Sequence, residues 1–301
     1  MEKKIIIIGA SSKTGEAITK FLLSETNYKL FLFSTNWKVT DVFPNVTSLN
    51  VSILNLKELK NVIYNIQPDV IINTTAINDL LKCESQKKLS WDINVLGVEN
   101  IVAVSRVTDA HLIHFSCDSI FDGSKGPYLE NELPNPINYY GKTKHASENF
   151  CLANHHKTTV IRTSLIYGNS LFDKSNYFLD NLSILKNEKN IYIPDDIFCN
   201  PVYSNDIAVG VSRVINKKRY GVYNFGGAAY NNLYEFVKFS ASLFDYNPEY
   251  IIQSKSFKVY KNFKHPLRIG LVTLKSQTDL NFKFSTFRDG FSSYKHLLMN
   301  S

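Results

Sequence analysis

Short apolar runs recur along the first half of the chain, and each is followed by a longer stretch whose apolar residues return every third or fourth position. The first run, in "KKIIIIGA", precedes "TGEAITKFLLSE", where Ala17, Ile18, Phe21 and Leu22 share one helical face. "YKLFLFST" and "VTSLNVS" predict a second and a third strand, and "NLKELKNVIYNI" a helix with Leu56, Leu59, Val62, Ile63 and Ile66 on one side. "PDVIINTTA", "AHLIHFSCDSIF" and "TTVIRTSLIYG" predict the next three strands, with helices over "NVLGVENIVAVSRV" and from near Tyr140. Strands that are apolar throughout are buried on both faces, and intervening helices are the crossovers that a parallel sheet requires. The expected fold is α/β, a doubly wound parallel sheet with a smaller C-terminal lobe. The pattern divides it into a first domain over 1–165 and a lobe over 166–301, with segments near 198–228 returning to the first domain.

Composition narrows the class. The 301 residues carry a formal net charge of +7, but the lysines are dispersed, which suits a basic cleft for a small anion and speaks against a nucleic-acid partner. Cys83, Cys117, Cys151 and Cys199 show no Cys-x-x-Cys spacing, so reduced thiols are expected, with no disulfide framework and no metal site. The N-terminal apolar run covers only Ile5 to Ile8, and no segment approaches the ~20 apolar residues that cross a bilayer. A cytoplasmic protein without a membrane partner is expected.

Gly9 and Gly15 fall where the first strand meets the first helix, with Ser12 at the position of a middle glycine. Free N–H groups at a helix start hold a pyrophosphate, and glycine lets the backbone come close, so this Rossmann-like turn predicts a dinucleotide. An acid at the end of the second strand would take the ribose 2′-hydroxyl of NAD, yet Ser34, Thr35, Asn36 and Lys38 stand there, and Lys13 adds a cation in the turn. NADP(H) is therefore preferred, with NAD left open. The cofactor set comprises Gly9, Ser11, Ser12, Lys13, Thr14, Gly15, Ser34, Thr35, Asn36, Thr74, Thr75 and Ala76. Tyr140 and Lys144 are one helical turn apart, and a cation at that spacing favours phenolate and lowers the phenol's pKa.

The segments "WDINVLGVENI", "FDGSKGPYLENELPNP", "YYGKTKHASE", "DDIFCNPVYSNDIA" and "HPLRIGLVTLK" make nearly the full length resemble the extended short-chain dehydrogenase/reductases, and within them the dTDP-4-dehydrorhamnose reductase family. The resemblance implies NADPH-dependent reduction of a nucleotide-activated 4-keto-6-deoxy sugar in deoxysugar and polysaccharide biosynthesis. Asn94, Tyr140 and Lys144 would then complete the cofactor set, Tyr140 would protonate the keto oxygen, Lys144 would also hold the nicotinamide ribose, and Asp118 would position substrate or Tyr140. The family's carbonyl-orienting Ser or Thr is Cys117 here, a weaker donor. Ser116 is expected on the strand's other face, and Ser119 is the nearer substitute. Asn176 matches the start of the substrate lobe, Leu165 and Ile197 replace a family Trp and Gln, and His265 replaces an Arg. Lys264 and Arg268 are candidates for the diphosphate, Asn94 supports the helix and proton path, and Arg162 is read as a buried structural ion pair. The expected partner is the nucleotide sugar, with a homodimer left open. Two other readings stand beside the reductase: a cofactor-binding, non-catalytic regulatory subunit, and a nucleotide-sugar epimerase or dehydratase.

Overall fold

The computed structural model describes residues 2–35, 38–172, 177–261 and 263–299. Seven strands form one parallel sheet: β1 (Lys4–Ile8), β2 (Lys29–Phe33), β3 (Thr47–Leu49), β4 (Val70–Asn73), β5 (His111–Cys117), β6 (Thr158–Thr163) and a seventh at Gly221–Phe225. Across the sheet the order is β3, β2, β1, β4, β5, β6 and the seventh strand, so the chain reverses direction between β3 and β4. The C-terminal ends of β1 and β4 flank that switch point, which is where ligands lodge in open α/β sheets. β1 shows why such runs read as continuous: Ile5 and Ile7 pack into one apolar cluster and Ile6 and Ile8 into another, all four sealed from solvent.

Helices cover both faces. α1 (Lys13–Glu25) follows β1, α2 (Lys38–Val42) follows β2, and α3 (Leu56–Ile66) follows β3. After β4 come α4 (Leu80–Ser85), α5 (Lys87–Trp91), a π turn at Asp92–Leu96 and α6 (Gly97–Val107), then α7 (Tyr139–Asn154) ahead of β6. α3 and α6 contribute Leu59, Ile63, Val98 and Ile101 to one face, while α1 covers the other through Ile18 and Leu22. The helix expected over "NVLGVENIVAVSRV" is thus interrupted at its start, because its first residues belong to the π turn.

Beyond β6 the chain builds a lobe from α8 (Tyr177–Leu185), α10 (Leu233–Leu243) and short strand pairs such as Ile191–Pro194 with Ile251–Ser254. Between them α9 (Ser204–Lys217) returns to the sheet, with Ile207 and Val211 joining the cluster that α1 packs on. The lobe has an aromatic core of its own, with Tyr167, Phe178, Phe236, Phe287 and Phe291 ring against ring. Glu16, fully buried in the first turn of α1, ties the two parts together: it accepts from Ser170 Oγ at 2.6 Å and from the Leu171 N–H at 2.9 Å, and pairs with Lys20. All four cysteines are buried and free. No helix among the described residues is long and apolar enough to cross a membrane.

Candidate active site

A cavity of about 1010 Å³ opens over the C-terminal ends of β1, β4 and β5, between the sheet and the lobe. Its first wall is the β1–α1 turn. Gly9 takes φ +82°, and a Cβ on Gly15 would sit 2.4 Å from the Gly9 carbonyl oxygen, so both positions require glycine for strand and helix to approach. Ser12 caps α1, its Oγ accepting from the Gly15 N–H at 3.0 Å. Thr74 at the end of β4 donates to the Gly9 carbonyl at 2.9 Å and shares a hydrogen bond with Ser12. Ser11, Lys13, Thr14, Ser34, Thr35, Thr75 and Ala76 line the same wall, and Ser34 Oγ donates to Ser11 Oγ at 3.0 Å. A glycine turn capped by a helix start, with a buried lysine and two hydroxyl residues at the end of β2, fits a dinucleotide phosphate.

The floor is built by β5 and α7. Asn138 caps α7 by accepting from the Gly141 N–H at 2.8 Å. A Cβ on Gly141 would lie 2.1 Å from the Ser119 carbonyl oxygen, so glycine lets α7 press onto the turn after β5. That contact packs Tyr140 against the small cluster that holds Cys117. Lys144, one turn further, is buried at the same floor. Strand β5 ends at Cys117 and Asp118–Ile120 forms a 3-10 turn, so the strand alternation expected to separate Ser116 from Ser119 stops there; Ser116, Cys117, Asp118 and Ser119 all line the cavity.

The electrostatics differ from the expectation for Tyr140. Burial raises its pKa well above the usual phenol value, with Cys117 and then Asp118 adding to the rise. Burial likewise lowers Lys144, although Cys117 and Glu148 pull it up. Low-dielectric surroundings outweigh the cation at i+4, and Tyr140 stays a neutral phenol at physiological pH. Burial also pushes the Cys117 thiol up to about 12, with Asp118 adding to it, so a neutral thiol faces the cavity. Asp118 is raised to about 7 by burial, against the pull of Ser164 and Ser119. Its Oδ2 is sealed without a hydrogen-bond partner among the described residues.

The Asp118 shift has a measurable consequence for stability. Below about pH 4 the carboxyl is protonated in both folded and unfolded chains. As pH rises towards 7 the unfolded chain releases its proton first, so this group's contribution to stability falls through that window and levels off above it. Asp118→Asn is expected to flatten that slope between pH 4 and 7 in denaturant titrations; parallel curves for the two proteins would contradict it.

Several residues expected at the site lie elsewhere. Asn94 is fully buried in the π turn, where its side chain accepts from the Ile77 N–H at 2.8 Å and donates to the Ile77 carbonyl at 2.9 Å and to Thr143 Oγ1 at 3.0 Å. It clamps the loop after β4 to α7 and does not line the cavity. Lys264 and Arg268 are exposed and off the cavity wall; the Arg268 guanidinium lies over the Phe198 ring at 5.9 Å. Their alternating neighbours His265 and Ile269 line the cavity instead. Asn36 and Asn176 lie outside the described residues, as does the Lys38 side chain. Leu165 and Ile197 line the cavity. Arg162 is a buried ion pair with Glu148, as read from its strand position. Tyr177 and Asp180, one turn apart on α8, also line the cavity with Cys199 and Tyr260; no period links α8 to the segments of Cys199 and Tyr260.

A parallel sheet of this strand order, with a tyrosine and lysine one turn apart on the helix before β6 and a lobe grown after it, is the architecture of an extended short-chain dehydrogenase/reductase. Residues 3–298 match the model described as RmlD substrate binding domain, and the chain belongs to that family. Among relatives, it is 26% identical over 240 residues to dTDP-4-dehydrorhamnose reductase of Aggregatibacter actinomycetemcomitans, covering 77% of this chain and 76% of that one. It is 32% identical over 169 residues to methionine adenosyltransferase 2 subunit beta of Xenopus laevis, covering 55% and 48%. The crystal structure of dTDP-4-dehydrorhamnose reductase from Bacillus anthracis in complex with NADP superposes with a TM-score of 0.87 at 23% identity, over 98% of this chain and 99% of that one.

Proposed function

We propose that this protein is an NADPH-dependent reductase of a nucleotide-activated 4-keto-6-deoxy sugar, similar to dTDP-4-dehydrorhamnose reductase and working in the cytoplasm. The observation that carries this reading is the continuity of the cavity, which joins the glycine-turn wall to Tyr140, Lys144 and the β5 end. NADPH, when bound, supplies the hydride. Gly9, Ser11, Ser12, Lys13 and Thr14 would hold its phosphates, and Ser34 and Thr35 stand where an acid would select NAD.

Reduction of a ketone needs a proton at oxygen as the carbon gains hydride. Tyr140 is a neutral phenol and holds that proton on its hydroxyl. The alkoxide it would quench is more basic than a phenolate, so a raised phenol pKa does not prevent the transfer. Lys144 is the cation left to face the phenolate. Cys117 offers the carbonyl only a weak S–H donor, and Ser119 beside it is the stronger one.

Purified protein is expected to oxidise NADPH in the presence of dTDP- or UDP-4-keto-6-deoxyhexoses. Cys117→Thr is expected to raise that rate by roughly tenfold, about the value of one better hydrogen bond in a water-poor site. An unchanged rate in a working enzyme would mean that another group, with Ser119 first in line, already holds the carbonyl. A second reading, a cofactor-binding regulatory subunit without chemistry, draws on Cys117 standing at the cavity in place of a hydroxyl residue. It predicts NADPH binding with no turnover across the same sugars. A nucleotide-sugar epimerase or dehydratase would retain NAD, and the acid-free end at Ser34 and Thr35 argues against it.

A further inference from the structure

We propose that His265, together with the Tyr177–Tyr260 hydroxyl pair, reads the hydroxyl groups of the substrate's sugar ring; this rests on the nucleotide-sugar reading above. His265 lines the cavity on its lobe side. Its Nδ1 lies 2.8 Å from the Pro266 carbonyl. A carbonyl can only accept, so Nδ1 carries the hydrogen and Nε2, the other ring nitrogen, presents a lone pair. Burial keeps the ring neutral, against a weaker pull from Asp196. That carboxylate is already engaged by the Ser256 N–H at 2.8 Å and the Ser256 hydroxyl at 2.9 Å. Among the described residues, the wall at this point is thus an acceptor and carries no cation.

Beside it stands a donor. The Tyr260 ring stacks on His265 with centroids 4.9 Å apart and planes inclined by 19°, and Tyr177 lines the cavity with it. Each phenol carries one O–H, so even with one turned to the other, one is left to donate. Acceptor and donor side by side on stacked rings match a sugar hydroxyl, which gives one hydrogen bond and takes another, while the ring faces offer an apolar surface to the sugar's C–H groups. A diphosphate would need cations, and Lys264 and Arg268, the lobe residues expected to supply them, are off the cavity wall. The wall faces the same cavity as Cys117 and Asp118.

The test compares binding of dTDP-glucose and dTDP to the full chain with NADP present, by titration calorimetry, so that it requires no turnover. The wild-type protein is expected to bind the nucleotide sugar more tightly than the nucleotide. His265→Phe should lower the affinity for dTDP-glucose by about 3–10-fold and leave dTDP unchanged, as loss of one neutral hydrogen bond would. His265→Gln keeps an acceptor oxygen and should recover part of the loss. Tyr260→Phe, which removes only a hydroxyl, should weaken the sugar nucleotide selectively and serves if His265→Phe does not fold. Equal losses for both ligands would assign the wall to the nucleotide and overturn the proposal, as would no loss for either variant. Failure of the wild-type protein to reduce any keto sugar would sink the reductase reading alone, since binding is measured separately.

Discussion

Replacement of Tyr140 by Phe is expected to lower NADPH-dependent reduction by roughly 10²–10⁴-fold, the usual worth of a positioned general acid. The change removes one oxygen from a side chain at the cavity floor whose ring packs against the small cluster of Cys117, Ile120, Phe121, Tyr128 and Leu271. The ring and its packing are retained, so folding and NADPH affinity should stay near wild type. The polar neighbour left behind is the Cys117 thiol, a weak hydrogen-bonding group that loses little. Two measurements decide the matter: steady-state turnover, and cofactor binding by quenching of intrinsic fluorescence. A variant that binds NADPH and keeps more than a tenth of wild-type turnover would remove Tyr140 from the chemistry.

The second large effect is on stability. Arg162 and Glu148 are both nearly sealed, with side-chain exposures of 5% and 2%. The guanidinium donates from Nε to Oε1 at 3.1 Å and from a terminal nitrogen to Oε2 at 3.0 Å, with a further bond to the Glu130 carbonyl at 3.0 Å. It also lies over the Phe121 ring, 5.4 Å from its centroid. Arg162→Ala leaves the Glu148 carboxylate buried without its counter-charge, and the expected loss is about 3–5 kcal/mol. Arg162→Met with Glu148→Leu removes both charges and fills the space, and should cost far less. Urea unfolding of the three proteins checks the contrast; equal losses in the single and double variants would show that packing, and not the stranded charge, sets the cost. Because the pair fastens β6 to α7, the single variant should also loosen the helix that holds Tyr140 and Lys144.

Strand β1 and its turn were legible because burial on both faces and a glycine approach each leave a local mark: an unbroken Ile run and two glycines at fixed spacing. Tyr140 and Lys144 were legible for the same reason, since a helix fixes i and i+4 on one side. The ionisation of Tyr140 was not, because the burial that dominates it is produced by β5, α7 and the following turn meeting in space. His265, Tyr177 and Tyr260 are separated by more than eighty residues between the first and last, so no periodicity links them. Lys264 and Arg268 carry the charge a diphosphate attracts, but backbone alternation in that segment turns His265 and Ile269 to the cavity in their place. Asn94 was legible as a support for the helix, and full burial gives its amide to the Ile77 backbone and to Thr143 on α7; only its place in the cofactor set goes unmatched by the cavity lining.

The aromatic core of the lobe shares no member with the two clusters that flank the sheet. Substitutions in groups that do not touch combine additively in their effect on folding. A lineage can therefore exchange Tyr177 or Ile197 of the lobe core without eroding the packing beneath the glycine turn, and the fold separates inventiveness in the lobe from constancy in the sheet.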